Sequence, residues 1–113
     1  MVVVTLEGLS PEGGFSGESF SLSVSGHADF SAKGSDIVCA AVSVLYQTLQ
    51  RALVEIAGAA IEIQDERDLK RTVLRDIQRC PESVPVIIQT VVTGLSAVAA
   101  SYPDNCRIIT SRR

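Results

Sequence analysis

The sequence has 113 residues, of which 46% are hydrophobic and 20% charged, a length and balance that indicate one globular domain over residues 1–113 with a single core. The 13 acidic and 10 basic residues give a formal net charge of -3. A chain of this charge has no general attraction for phosphate backbones or anionic lipids, so we expect no nucleic-acid and no membrane partner.

Targeting signals and cysteine usage both favour the cytoplasm. The N-terminus lacks a basic segment followed by an apolar stretch, and we expect no apolar run long enough to span a bilayer. The cysteines, Cys39, Cys80 and Cys106, form neither a CxxC motif nor an even set. A disulfide framework and a zinc site are therefore poorly supported, as in a compartment where thiols stay reduced.

The first half of the chain predicts two strands and a helix. Residues 2–6 are rich in β-branched side chains, and apolar and serine side chains alternate over residues 20–25, the pattern of half-buried strands. Residues 10–17 supply a turn. From Asp36 to Gly58 the period changes to that of an amphipathic helix, with Asp36 as N-cap and Gly58 as terminator. Its predicted apolar stripe is Ile37, Ala41, Leu45, Leu49, Ala52, Leu53 and Ile56.

The second half predicts a strand, an ambiguous segment, a helix and a last strand. Residues 60–64 are strand-like, whereas residues 68–78 suit either a strand or a short helix. Apolar residues between Val84 and Tyr102 have helical spacing, and Pro103 ends that helix. Residues 106–110 predict a strand. Together these elements favour an α+β, two-layer sandwich with both helices on one face of a mainly antiparallel sheet.

Mixed charges cluster over residues 65–79. Basic residues there alternate with acidic ones, which predicts a solvated mixed-charge face rather than an anion-binding patch. The basic members are Arg67, Lys70, Arg71, Arg75 and Arg79, and the acidic members are Asp65, Glu66, Asp68 and Asp76.

The chemistry is concentrated in residues 26–43, GHADFSAKGSDIVCAAVS. If Asp36 caps the helix, Cys39 is about the third helical residue, where free backbone N–H groups favour a thiolate and could hold an oxyanion. The helical wheel places Cys39 beside Ser43, Tyr46 and Gln50, at the margin of the apolar stripe and open to a substrate. The alternative is that Cys39 is a small buried hydrophobe, as free cysteines commonly are.

His27 is the single histidine of the chain and follows a predicted strand. It could serve as the base for Cys39, or it could be a loop histidine bonded to the backbone. Gly26 and Gly34 bracket a segment that could close over a bound chain or be an ordinary surface loop. Asp36 could orient the imidazole, although capping alone explains an aspartate there.

The segment resembles the signature of the ribosomal-processing cysteine protease family, Prp. The family's histidine motif corresponds to GHA at residues 26–28, and its DIVCAAVS motif is unbroken over residues 36–43. The resemblance implies that Cys39 is the nucleophile and His27 the general base, and it continues into GLSAVAASYPDN at residues 94–105. One departure is Asp29, where the family more often has glycine.

The resemblance further implies a cysteine endopeptidase that removes the short N-terminal extension of a large-subunit ribosomal protein. It implies a homodimer and no cofactor or metal. We assign peptide binding to Gly26, Ala28, Gly34 and Ser43. Two alternatives stay open: a non-catalytic assembly factor that binds the same ribosomal protein, and a Cys/His hydrolase with another substrate.

Overall fold

A computed structural model describes residues 1–9, 14–15, 17–26 and 35–111, without the side chains of residues 35 and 36. Five strands and two long helices follow in the order β1 (Val2–Glu7), β2 (Phe20–Ser25), α1 (Ser35–Glu55), β3 (Ile61–Glu66), β4 (Leu69–Leu74), α2 (Ser83–Ser101) and β5 (Cys106–Ser111). A short 3₁₀ helix, Ile77–Arg79, lies between β4 and α2. Most of the predicted turn over residues 10–17 lies outside the described residues.

The strands form one sheet in the order β3-β4-β2-β1-β5. The pairs β3–β4, β4–β2 and β2–β1 are antiparallel, and β1–β5 is parallel. The parallel pair arises because α2 carries the chain back along the sheet before β5 begins. The predicted α+β architecture with a mainly antiparallel sheet is confirmed.

One face of the sheet carries the core. Alternate residues of β1, Val2, Val4 and Leu6, are at most 2% exposed, and cross-strand pairing places Leu22 of β2 on the same face. These side chains form a single cluster with buried residues of both helices. Both helices therefore cover the same face of the sheet, as the sequence predicted.

The buried stripe of α1 differs from the predicted one. The buried residues are Val38, Val42, Tyr46, Leu49 and Leu53. Two residues of the predicted stripe, Ile37 and Ile56, are 58% and 72% exposed. The helix has a second apolar neighbour, because Leu45 contacts α2 at Gly94, where an added Cβ would lie 2.9 Å from Leu45 Cδ2. Packing against both the sheet and α2 rotates the buried stripe away from the one that spacing alone favours.

Both ends of α1 can be compared with the prediction. The helix begins at Ser35, so Asp36 is its second residue and does not precede it as an N-cap. At the other end Gly58 has φ +64° and its N–H bonds the carbonyl of Val54 at 3.1 Å. Glycine adopts this left-handed conformation without steric cost, so Gly58 closes the helix as predicted.

The ambiguous segment, residues 68–78, forms strand β4 and then reaches the 3₁₀ helix. A strand is favoured because β4 pairs with β2 on one side and β3 on the other. The following helix, α2, buries Val84, Ile88, Val91 and Leu95, in agreement with its predicted spacing.

Both long helices are rich in apolar residues. By length and composition, both Ile37–Glu55 and Ser83–Ser101 could cross a membrane, so the expectation that no apolar run is long enough was wrong. Core helices of a two-layer fold have the same character, and each helix here packs a stripe on the sheet. The expectation of no membrane partner stays a prediction.

Candidate active site

A groove of about 500 Å³ lies between α1 and the strands β2, β3 and β4. Cys39, Ser43 and Gln50 line it from the helix. At 100° per residue these three positions differ by no more than about 40° around the helix axis. The groove therefore follows one face of α1 for three turns, with Cys39 at one end.

Cys39 is half-buried and packs against the edge of the core. It follows Val38, a fully buried residue, by one position, and lies about 60° from the centre of the buried stripe. This position agrees with the predicted placement at the core margin. The thiol is thus held by packing on one side and open to the groove on the other.

The helix start changes the expected electrostatics of Cys39. Because α1 begins at Ser35, Cys39 is the fifth helical residue, not about the third. In a regular helix the N–H of the fifth residue bonds to the carbonyl of the first, so it is not free for an oxyanion. The helix dipole acts mainly within the first turn, which reduces its effect at Cys39.

The other cysteines occupy different surroundings. Cys106 on β5 is 2% exposed, and burial raises the pKa of its thiol. Burial also raises the pKa of the Cys80 thiol, which lies 3.6 Å from the carbonyl oxygen of Asp76. Neither lines the groove. Both are kept in the thiol form, which is the less nucleophilic form.

Gly26 lines the same groove as Cys39. It directly follows β2, has φ +85°, and donates its N–H to the carbonyl of Asp68 at 3.4 Å. A Cβ here would contact the carbonyl oxygen of Met1. Both the positive φ and this close approach require glycine, so Gly26 sets where the chain leaves the sheet.

Several predicted site residues cannot be placed. His27, Ala28 and Gly34 lie outside the described residues, as does Asp29, and the side chain of Asp36 does too. Ser43 is described: it is exposed and lines the groove one helical turn after Cys39. The structure thus brings Cys39, Gly26 and Ser43 together.

A chain of three polar side chains lies beneath the groove. Gln50 Nε2 donates to Thr72 Oγ1 at 2.9 Å, and Thr72 Oγ1 donates to the hydroxyl oxygen of Tyr46 at 2.9 Å. Burial raises the pKa of Tyr46 most, the hydrogen bond from Thr72 lowers it, and the Asp65 carboxylate raises it. The phenol is therefore neutral at pH 7. The helical wheel indicated Tyr46 and Gln50, but Thr72 is remote in sequence and was missed.

The mixed-charge segment forms the opposite wall of the groove. Strands β3 and β4 make a hairpin, and its exposed Asp65, Arg67, Asp68 and Lys70 all line the cavity. The sequence predicted a solvated face, and these side chains are indeed exposed, but their position in the wall of the groove was not foreseen. The sequence signal that could have predicted this hairpin is the two-residue connection, Arg67 and Asp68, between two strand-like segments.

The chain is similar to a known protein family. The family model "Cysteine protease Prp" matches residues 13–107. No curated protein sequence matches the chain significantly.

Solved structures share the fold over the whole chain. SMU.848 from Streptococcus mutans is 24% identical, with 100% of this chain and 96% of that chain covered and a TM-score of 0.76. An essential ribosomal processing protease, Prp, from S. aureus in complex with a substrate peptide is 22% identical, covers 98% and 100%, and has a TM-score of 0.77. The same protease with a covalently linked product peptide is 22% identical, covers 98% and 100%, and has a TM-score of 0.75.

Proposed function

The chain belongs to the cysteine protease Prp family, and from this premise we propose that it removes the short N-terminal extension of a large-subunit ribosomal protein. The S. aureus protein with the same fold is a ribosomal processing protease and binds a substrate peptide. Its structure with a covalently linked product peptide accords with covalent catalysis. We extend these properties to this chain as a proposal.

One observation carries the proposal: Cys39 lines a groove that Gly26 also lines. His27 follows Gly26 directly in the sequence, and consecutive Cα atoms are about 3.8 Å apart. This sequence adjacency supports His27 as the base for Cys39. Cysteine proteases require this spatial closeness of Cys and His, whatever their separation in sequence.

The proposed mechanism has two steps. His27 takes the proton of Cys39, and the thiolate attacks the scissile carbonyl carbon to form a C–S bond. The C–N bond then breaks as His27 returns the proton to the leaving amine. His27 then takes a proton from water, whose oxygen forms a C–O bond with the thioester carbonyl carbon. The C–S bond breaks, and His27 returns the proton to the Cys39 sulfur. Asp36 is proposed to orient His27, acting from the first turn of α1.

The groove suits a peptide rather than a small metabolite. It follows α1 from Cys39 to Gln50, which is about 17 Å at 1.5 Å per residue. An extended chain of about five residues has the same length. We propose that Ser43, together with Gly26, Ala28 and Gly34, contacts this chain. Asp65 and Lys70, one acidic and one basic residue, line the wall of the groove formed by β3 and β4.

We further propose that the protein works in the cytoplasm as a homodimer. Immature ribosomal proteins are available there, and the free cysteines Cys39, Cys80 and Cys106 suit a reducing compartment. Light scattering coupled to size exclusion measures the mass in solution. A monomeric mass at the concentration used for cleavage would contradict the proposed homodimer, but it would not contradict the proposed protease activity.

The experiment that tests the function incubates purified protein with the extended ribosomal protein from the same cell. Mass spectrometry reads the products for the parent and for Cys39→Ala, His27→Ala and Cys80→Ala. Cys80→Ala is the matched control because Cys80 is also half-buried but lies outside the groove. Cleavage at one N-terminal site by the parent and Cys80→Ala alone is the expected result.

Other outcomes separate the alternatives. Intact ribosomal protein bound by all four proteins would instead indicate a non-catalytic assembly factor. No binding and no cleavage, with activity on other peptides, would indicate a hydrolase of different substrate. Cleavage that survives Cys39→Ala would reject Cys39 as nucleophile.

A further inference from the structure

The polar side chains of Gln50, Thr72 and Tyr46 beneath the groove are not needed merely to fill space. Thr72 is 1% exposed and Tyr46 is 5% exposed, so their hydroxyl groups are removed from water. Valine and phenylalanine would fill the same volumes without needing hydrogen-bond partners. The hydroxyl groups are satisfied by each other and by Gln50. The chain therefore determines the orientation of the side chain at its open end.

The directions of the two hydrogen bonds give that orientation. Thr72 has one O–H, which it donates to Tyr46, so it accepts from the amide nitrogen of Gln50. The polar chain therefore uses Nε2 of Gln50, and the carbonyl oxygen Oε1 takes no part in it. Tyr46 retains its own O–H, and the nearby Asp65 carboxylate favours a donor at that end. The hydrogen bonds therefore all run in one direction, with Gln50 donating to Thr72 and Thr72 donating to Tyr46.

Gln50 is half-buried and lines the groove on the same helix face as Cys39. The two are 11 residues apart, which is about 17 Å along the helix and about five residues of extended peptide. A carbonyl oxygen accepts hydrogen bonds only, so its partner must be a donor. An extended peptide presents backbone N–H groups at this spacing.

We infer that Gln50 is a specificity-determining residue, whose Oε1 accepts a hydrogen bond from an N–H group of the peptide about five residues from the bond that is cut. Thr72 and Tyr46 are positioning residues that hold the Gln50 amide in this orientation. The inference rests on the proposed function, since it takes the occupant of the groove to be a peptide substrate.

The test compares two peptides and four proteins. The long peptide has six residues on each side of the scissile bond, and the short one has two, which is too few to reach Gln50. The proteins are the parent, Gln50→Leu, Thr72→Val and Gln64→Leu. Gln64 is the matched control because it lies on β3 between Ile63 and Asp65, which line the groove, and therefore projects from the opposite face of the sheet.

The expected result depends on peptide length. Gln50→Leu should raise KM for the long peptide about 5- to 10-fold at constant kcat, which is the value of one hydrogen bond. It should leave the short peptide unaffected. Thr72→Val should act in the same direction, and Gln64→Leu should change neither peptide. Equal losses on both peptides, or no loss on the long one, would overturn the inference.

A binding measurement separates this inference from the cleavage itself. Fluorescence anisotropy of the labelled long peptide with Cys39→Ala gives Kd without turnover. Adding Gln50→Leu in this background should weaken Kd about 5- to 10-fold. If that occurs while the parent cuts neither peptide, the proposed protease fails and only the contact between Gln50 and the peptide holds. If the parent cuts both and Kd is unchanged, the inference alone fails.

Discussion

Substituting Gly26 by alanine tests whether the backbone conformation of Gly26 positions His27, the proposed base. Gly26 has φ +85°, and an added Cβ would contact the carbonyl oxygen of Met1. That carbonyl cannot retreat easily, because the adjacent N–H of Val2 bonds Asn105 at 2.8 Å and β1 pairs on both sides. Relief must therefore come from Gly26 itself, which directly precedes His27.

Gly58 provides a control that separates the two costs. It also has a positive φ, +64°, but an added Cβ would have no neighbour within 4 Å. The left-handed conformation should cost about 1–2 kcal/mol in Gly58→Ala. In Gly26→Ala the steric contact adds about 1–3 kcal/mol, so we expect a total of roughly 2–5 kcal/mol.

Urea unfolding measures both free energies, and peptide cleavage is compared where both variants are folded. Gly26→Ala should lose more stability than Gly58→Ala and should also lose kcat/KM, because relief of the contact displaces the chain that leads to His27. Equal stability losses would refute the steric argument. Full activity of a destabilised Gly26→Ala would refute the link between Gly26 and the base.

Three further predictions concern packing and titration. Leu53→Ala, at a site that is 0% exposed, should lower the free energy of unfolding by about 2–5 kcal/mol, whereas Val44→Ala, at 62% exposure, should change it by less than about 0.5 kcal/mol; similar urea curves would contradict the assigned core. The hydrogen bond from Arg75 lowers the pKa of Glu62, so its stabilisation is present at neutral pH and is lost as pH falls through that lowered pKa. Unfolding of Glu62→Gln and parent should therefore converge in acid, and a difference that grows there would contradict the ion pair. Iodoacetamide at neutral pH should alkylate Cys106 only after unfolding, since its thiol is buried with a raised pKa; mass spectrometry of native protein checks this.

Much of the fold is contained in local pattern. The alternation in residues 20–25 and the helical spacing after Val84 depend on neighbours a few positions apart, and both elements formed as predicted. Alternation did not predict every exposure, however. Ser21 and Ser23 are 8% and 6% exposed, because their short side chains lie on a central strand between β1 and β4.

The helix face of α1 shows where local pattern fails. Ile37 and Ile56 satisfy the spacing of a buried stripe but are exposed, whereas Val38 and Val42 are buried. A hydrophobic period identifies a helix, but two stripes of similar hydrophobicity differ only in what packs on them. Packing against both the sheet and α2 determines which face of α1 is buried.

The candidate site divides in the same way. By itself the sequence determined the type and order of most elements, the nucleophile candidate Cys39 and the resemblance of residues 26–43, because these depend on local spacing and residue type. Only the tertiary structure decided that residues 69–74 are a strand, that the β3–β4 hairpin and Cys39 line one groove, and that Thr72 accepts a hydrogen bond from Gln50. Those facts join residues more than 20 positions apart, and such pairs meet only when the sheet is assembled.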